Sequence, residues 1–445
     1  MNTFSYKEIF RASLILCLVF CSSVLVSAQG DSLSQPGRHK AGYRSVTVTR
    51  SNATTFTARL YYPATTSGQN TTYDGSGAPY PAITFGHGFF QAVSTYQSTL
   101  EHLATHGYFV IASNSESGLF PSHQNFANDL RTCLDYLTLE NSSSTSALFN
   151  QVAINRFGAS GHSMGGGASI LAASQDTRIK ALANLAAAET NPSATAAMPA
   201  IAAPLMLISG GADTIVPVSS NGQLMYNAAG TAKILPIIQG GWHCGFQDAN
   251  GFGCDSGTIP REHQLRESRR LLTAFFNLYL VRTEINWKQV WGSELQNSLV
   301  SSQSNSGIEM SPTSQTVAVL NGAETAFSIS ITNRGSVPES YLILVDQQRV
   351  WDLDINPEQT ILLQPNQSKT ITFVPRRLRY SPQLNTMLLI STRKVSDGLT
   401  RSFVNVTLQQ VTPETAKRYS DENCVKRQTA SQILLRNRGS KCYDK

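Results

Sequence analysis

Gly161-His162-Ser163-Met164-Gly165 sets a serine between two glycines at the spacing Gly-x-Ser-x-Gly. With an apolar run before it (154–159) and small residues after it (165–168), the segment predicts a strand that turns sharply into a helix and lifts the serine hydroxyl out of the turn. A hydroxyl becomes a useful nucleophile only when a base takes its proton, and the base needs a third group to hold its tautomer. The chemistry of such a set is attack on a carbonyl carbon. Strand-to-helix serines of this kind draw their partners in the chain order serine, acid, histidine. Only His243 and His263 follow the serine. His263 lies in a charged helix start, 261–267, and reads as a solvated surface residue. His243 follows the apolar run 233–238 through Gly240-Gly241-Trp242, so it is the expected base. The carboxylates between serine and base are Asp176, Glu189 and Asp213. Asp176 reads as the exposed polar end of a helix, whereas Asp213 follows the apolar run 205–209 and is the expected acid, with Glu189 as runner-up.

An attacked carbonyl also needs hydrogen-bond donors for its developing negative oxygen. The backbone N–H of Met164, next after the nucleophile, is one. The loop Phe85-Gly-His-Gly-Phe-Phe90 follows an early strand and offers Phe89 as the second, with His87 as a brace for that loop. Metal sites are not indicated, because Asp248-Ala-Asn250-Gly251 starts like a calcium loop but lacks the later glutamate and regular spacing. No phosphate-cradling or dinucleotide glycine pattern is present, so no cofactor is expected.

These residues must be held by a scaffold, and the surrounding pattern supplies one. Apolar runs at 44–50, 55–62, 82–85, 109–112, 154–159, 179–185, 205–209 and 233–238 alternate, from 82 onward, with helical stretches at 94–105, 125–140, 165 onward, 219–227 and 261–281. Alternation of this kind predicts a mostly parallel sheet covered on both faces, the α/β-hydrolase fold, spanning 41–290. From about residue 311 the helical period disappears. Seven short alternating runs between 316 and 408 predict an antiparallel β-sandwich, Ig-like, over 311–411, with 291–310 as linker and 412–445 as a basic tail.

Residues 1–28 carry Lys7 and Arg11, an apolar run and a small-residue end, Val26-Ser27-Ala28, which predict a secretory signal too short to span a bilayer. Five of the seven cysteines then remain in an oxidising compartment. Cys133 shares a helical period with Leu130, Leu134 and Leu137 and reads as a buried thiol. Cys244 with Cys254, and Cys424 with Cys442, are the local pairings the spacing permits, although connectivity is not fixed by sequence. Asn52, Asn70, Asn141, Asn366 and Asn405 open glycosylation triplets. With 41% hydrophobic and 14% charged residues and a net charge of +6, the chain is an ordinary globular protein. Its basic tail lacks the interleaved aromatics of a nucleic-acid groove, so no nucleic-acid partner and no membrane span are expected.

On Gly88-Phe-Phe-Gln-Ala-Val-Ser, His106-Gly-Tyr-Phe-Val, Gly161-His-Ser-Met-Gly-Gly-Gly167, Asp213-Thr-Ile-Val-Pro217 and Gly240-Gly-Trp-His-Cys244, residues 41–280 resemble the secreted bacterial cutinases and polyester hydrolases. The resemblance extends more distantly to chlorophyllase-like and platelet-activating-factor acetylhydrolase-like esterases. It implies that Ser163, Asp213 and His243 act as a triad, that Phe89 and Met164 serve the oxyanion, and that Ile215 walls the cleft. Trp242 is expected to line the same apolar groove. Where that family carries a tryptophan platform this chain has Ala188, which implies a preference for aliphatic over aromatic esters. A secreted carboxylic-ester hydrolase working through an acyl-enzyme is therefore the expected function, on a small or polymeric ester substrate, with possible surface or polymer contact through the sandwich. Two readings compete with it: a lipid acetyl-ester or other small-ester hydrolase, and an adhesion protein that uses the fold as scaffold.

Overall fold

The computed structural model describes residues 32–251, 253–320, 326–346, 351–354, 360–377 and 385–411. The expected signal, the basic tail and the Cys424–Cys442 pairing lie outside the described residues. The chain divides between Gly307 and Ile308 into two compact units.

The first unit is built on a ten-stranded sheet in the order β10-β9-β8-β7-β6-β4-β5-β2-β1-β3. In chain order the strands are β1 (Lys40–Thr49), β2 (Thr55–Ala64), β3 (Gly68–Gln69), β4 (Tyr80–Gly86), β5 (Phe109–Ser113), β6 (Val152–His162), β7 (Ile179–Leu185), β8 (Leu205–Gly210), β9 (Lys233–Ile238) and β10 (Val300–Asn305). The six strands from β5 across to β9 run parallel, bounded by antiparallel β2 and β10. Strands covered on both faces must be apolar almost throughout. The all-buried runs of β4, β5 and β8 meet that requirement.

Helices α1 (Gln97–Thr105), α2 (His123–Ser142), α3 (Met164–Gln175), α4 (Gly222–Ala228) and α5 (Arg261–Phe276) form in the connections. The α2 helix opens where the Ser122 hydroxyl accepts the Asn125 N–H, which satisfies one of the donors a helix start leaves free. In α3, Met164 through Ala173 are all buried, so small residues on every side let this helix sit close against the sheet.

Residues 291–310 are not the linker that their Ser/Asn/Gln content suggests. A 3-10 turn covers Ser293–Leu295, and β10 pairs antiparallel with β9 from Val300 opposite Ile238 to Asn305 opposite Lys233. An edge strand is held by its backbone ladder and needs few apolar residues; here only Val300 is buried.

The second unit contains β11 (Ile308–Ser311), β12 (Ser314–Leu320), β13 (Phe327–Asn333), β14 (Glu339–Asp346), β15 (Trp351–Asp354), β16 (Thr360–Leu363), β17 (Ser368–Arg377), β18 (Asn385–Lys394) and β19 (Arg401–Val411). They make a four-stranded sheet, β11-β13-β17-β15, and a five-stranded sheet, β12-β19-β18-β14-β16. Ile329, Ile331 and Phe373 of one sheet and Ile343, Leu388 and Val406 of the other belong to a single apolar core. The unit departs from a wholly antiparallel arrangement, because β12 pairs parallel with β19. Among the described residues, no helix is long and apolar enough to cross a membrane.

Candidate active site

The strand β6 ends at His162 and α3 begins at Met164, leaving Ser163 alone at the corner with φ 56° and ψ −123°. A non-glycine residue holds such a backbone only where its surroundings enforce it. Here they do. Ser163 donates its N–H to the Leu185 carbonyl at 3.0 Å, and its own carbonyl accepts from Gly167 and Ala188 at 3.1 and 3.0 Å. The flanking glycines permit the close approach: a Cβ on Gly161 would stand 2.3 Å from the Gly165 carbonyl oxygen, and one on Gly165 would stand 2.1 Å from the Gly86 backbone.

Loops leaving β8 and β9 bring Asp213 and His243 to this corner. His243 Nε2 lies 2.9 Å from Ser163 Oγ, and Nδ1 lies 2.8 Å from Asp213 Oδ2. Because an ionised carboxylate only accepts, Nδ1 carries the proton and Nε2 is left as the acceptor for the serine hydroxyl. The other carboxylate oxygen of Asp213 accepts the N–H groups of Ile215 at 3.0 Å and Val216 at 2.7 Å, so the acid is fixed by its own loop. All three side chains are buried or nearly so.

The rejected candidates have other partners. Glu189 accepts from the Thr195 N–H and hydroxyl at 3.2 and 2.5 Å. His263 stands on the surface, 4.0 Å from Glu262. Asp176 corrects the expectation of an exposed residue: it is buried, and Arg178 Nη2 reaches its Oδ2 at 2.7 Å. A buried carboxylate needs such a cation.

Phe89 and Ile215 are half-exposed, and Ala188 is partly exposed beside Ser163. Trp242 does not join them. It is buried, with its main chain held by Gln264 at 3.0 and 2.7 Å and the Arg261 guanidinium over its ring at 5.3 Å, and its ring packs against Gly245 and Gly257, where a Cβ would collide with it. Among the described residues the backbone N–H groups of Phe89 and Met164 have no protein acceptor. His87, fully buried, reaches the Gly88 carbonyl at 2.8 Å and the Ser115 carbonyl at 2.9 Å, tying the Phe89 loop to the next one. Burial pushes its pKa down, so the neutral ring donates to one of the two. That neighbouring loop carries Leu119 and the almost fully exposed Phe120, and its far end meets the 186–191 segment where the Asn191 N–H donates to His123 Nδ1 at 3.0 Å.

Three side chains around the triad were not singled out from sequence. His162 is fully buried and packs against His243, ring centres 4.5 Å apart and planes tilted by 41°; burial, then the neighbouring His243, holds its pKa well below the usual histidine value. Its neutral ring donates from Nε2 to the His243 carbonyl at 3.2 Å and accepts the Tyr96 hydroxyl at Nδ1 at 2.9 Å. Tyr96 in turn accepts the Gly88 N–H at 3.0 Å, which connects the Phe89 loop, the serine corner and the base. Asp255 accepts backbone N–H groups from Thr214, His243 and Cys244. The motif position of His162 was visible; Tyr96 and Asp255 had no local signal.

A PET hydrolase-like family model matches residues 34–252. Residues 34–252 form a PET hydrolase-like domain. The PET hydrolase-like domain carries the α/β-hydrolase fold, with the mostly parallel sheet described above. Its relatives include Cutinase est1 of Thermobifida alba, 32% identical over 169 residues, which are 38% of this chain and 51% of the relative. Cutinase 2 of Thermobifida cellulosilytica is 27% identical over 173 residues, 39% of this chain and 59% of the relative. The bis(hydroxyethyl) terephthalate hydrolase of Streptomyces coelicolor is 28% identical over 172 residues, 38% of this chain and 48% of the relative. The chain spans about half the length of the curated relatives it matches.

The disulfide between Cys244 and Cys254, Cα atoms 5.6 Å apart, closes a loop directly after His243 of the PET hydrolase-like domain. Cys133 is a buried free thiol, and burial raises its pKa well above the usual value. A polar cavity of about 780 Å³ in the same domain is lined by Arg50, Asp129 and Arg131 among others, with no triad residue. Its Arg50 and Asp129 satisfy each other at 2.6 and 2.7 Å.

Proposed function

We propose that this protein is a secreted serine carboxylic-ester hydrolase that works through an acyl-enzyme. The observation that carries the reading is the unbroken line of hydrogen bonds from Asp213 through His243 to a serine held in strained backbone. Ser163 Oγ attacks the ester carbonyl carbon while His243 Nε2 takes its proton, and Asp213 stabilises the imidazolium without itself becoming protonated. The N–H groups of Phe89 and Met164 receive the oxyanion. His243 then gives the proton to the leaving alkoxide as the C–O bond breaks. A water, deprotonated by the same nitrogen, attacks the acyl-enzyme; collapse of that second intermediate releases the acid and returns the proton to Ser163.

Ala188 beside Ser163 offers no ring for an aromatic acyl group to stack on, which favours aliphatic esters. Exposed Phe89, Phe90, Leu119 and Phe120 on two joined loops support a substrate presented on an insoluble apolar surface. The second unit is then an accessory module, Ig-like in kind, that contacts the polymer. Secretion is supported by the Cys244–Cys254 disulfide, a bond that persists in oxidising compartments. The test is hydrolysis of p-nitrophenyl esters of graded chain length, with Ser163→Ala as the blank. Turnover of short aliphatic esters that vanishes in the blank supports the reading, and equal turnover in both proteins overturns it.

A further inference from the structure

We propose that Asp255 is a positioning residue for the reaction: its carboxylate clasps the loop that carries the acid to the loop that carries the base. The inference rests on the ester-hydrolase reading for what the clasp serves. Asp255 Oδ2 accepts the Thr214 N–H at 3.2 Å and the His243 N–H at 3.0 Å, and Oδ1 accepts the Cys244 N–H at 3.1 Å. Thr214 is the residue after Asp213, and Cys244 the residue after His243. One side chain therefore holds the main chain of the base, and of the residues next to both acid and base, in a single hydrogen-bonded knot.

The scaffold below joins the two loops only as far as Ala212 and Gly241. Backbone bonds between the two loops run from Gly211 N–H to the Ile238 carbonyl at 2.8 Å and from Ala212 N–H to the Gly241 carbonyl at 2.7 Å. Beyond Ala212 and Gly241, the hydrogen bonds that join the loops among the described residues are the catalytic Asp213–His243 contact and those of Asp255. Bonds from an ionised carboxylate to N–H groups are roughly twice as strong as neutral ones. Asp255 is itself tethered, because it follows Cys254, whose disulfide returns to Cys244. The knot thus closes on the residue next to the base. Its contact is with the main chain of His243, not the imidazole, so it acts through the base and not on the substrate.

Misplacing a catalytic group by about 1 Å costs up to roughly 10²-fold in rate. The experiment compares the full chain with Asp255→Ala and Asp255→Asn, the latter keeping one acceptor oxygen but turning an NH₂ toward a backbone donor. It reads kcat and KM on p-nitrophenyl acetate, the rate at which a fluorophosphonate labels Ser163, and the thermal midpoint. The expected result is a kcat lower by about 10- to 100-fold for Ala and by less for Asn, with KM within about two-fold and labelling slowed by the same factor as kcat. The Asn protein is expected to unfold at the wild-type temperature, which separates positioning from folding. A kcat within about two-fold of wild type in both variants, or a loss in Asn matched by its unfolded fraction, overturns the proposal. If the wild-type chain itself turns over no ester, the functional reading fails instead; labelling of Ser163 still reports on the clasp, and an unchanged labelling rate in both variants overturns it.

Discussion

The two units differ in the polar groups they bury, and the difference says where the chemistry is. Among the described residues between 308 and 411 the core is Ile, Val, Leu, Met, Phe and Tyr from two sheets, and the buried polar residues are Thr, Ser and Asn with Arg401. Residues 32–307 also bury an apolar core, yet place His87, His102, His162, His243, Asp129, Asp176, Asp213, Glu267 and Arg270 out of water. Buried titratable groups cost stability unless partnered, so a fold keeps them where they are used or where they brace what is used. All eight histidines of the chain precede residue 264. The second unit therefore has no imidazole to serve as base.

The sharpest way to break this contrast is to remove the triad. Ser163→Ala and His243→Ala are each expected to lower ester turnover by about 10⁶, with the double variant hardly worse, because the residues act as a unit. Steady-state rates that multiply would contradict it. Asp213→Asn is expected to cost about 10⁴ by leaving His243 in the wrong tautomer, and Glu189→Gln to cost little.

Removing the second unit is expected to do far less to the chemistry. A chain ending at Gly307 should keep its activity on soluble esters, while one ending at 290 should fold poorly because it lacks β10, the strand paired along β9. Circular dichroism melting and p-nitrophenyl acetate turnover check both. A smaller effect concerns the cleft: Ala188→Trp should shift the ratio of aromatic to aliphatic ester rates by about 1 kcal/mol toward aromatic substrates through ring stacking. The contrast also has a pH signature. Burial, with His106 and Arg269 nearby, lowers the His102 pKa to about 3, so the unfolded chain takes up this proton near the ordinary value of 6.5 and the native one does not. Stability from this group is complete above that value and declines as pH falls toward 3. His102→Gln should lessen the fall of the melting temperature over that window, the part that remains coming from His87, His106 and His162, whose pKa values burial also lowers.

The parts of this arrangement that were legible in sequence share one property: they are local. Ser163 is marked by glycines two positions either side, and Asp213 and His243 by the apolar strands just before them. Continuous apolar runs likewise marked the parallel strands of the central sheet, since such strands must be apolar on both faces. The polar strand β10 escaped because an edge strand is held through backbone pairing. Asp255 and Tyr96 were invisible for a different reason. They act on backbone atoms and rings 41 and 66 positions away, contacts that exist only once the loops are folded together. Trp242 differs from the expectation because an aromatic beside a catalytic histidine suggests a cleft wall, while its ring is buried against Gly245 and Gly257.

The central claim is that Ser163 is activated by His243, and labelling with a fluorophosphonate followed by peptide mapping tests it most directly. The account predicts one modified residue, Ser163, in the wild-type chain, no modification in Ser163→Ala, and labelling slowed by orders of magnitude in His243→Ala. Modification at another serine, or an unchanged rate in His243→Ala, would contradict it.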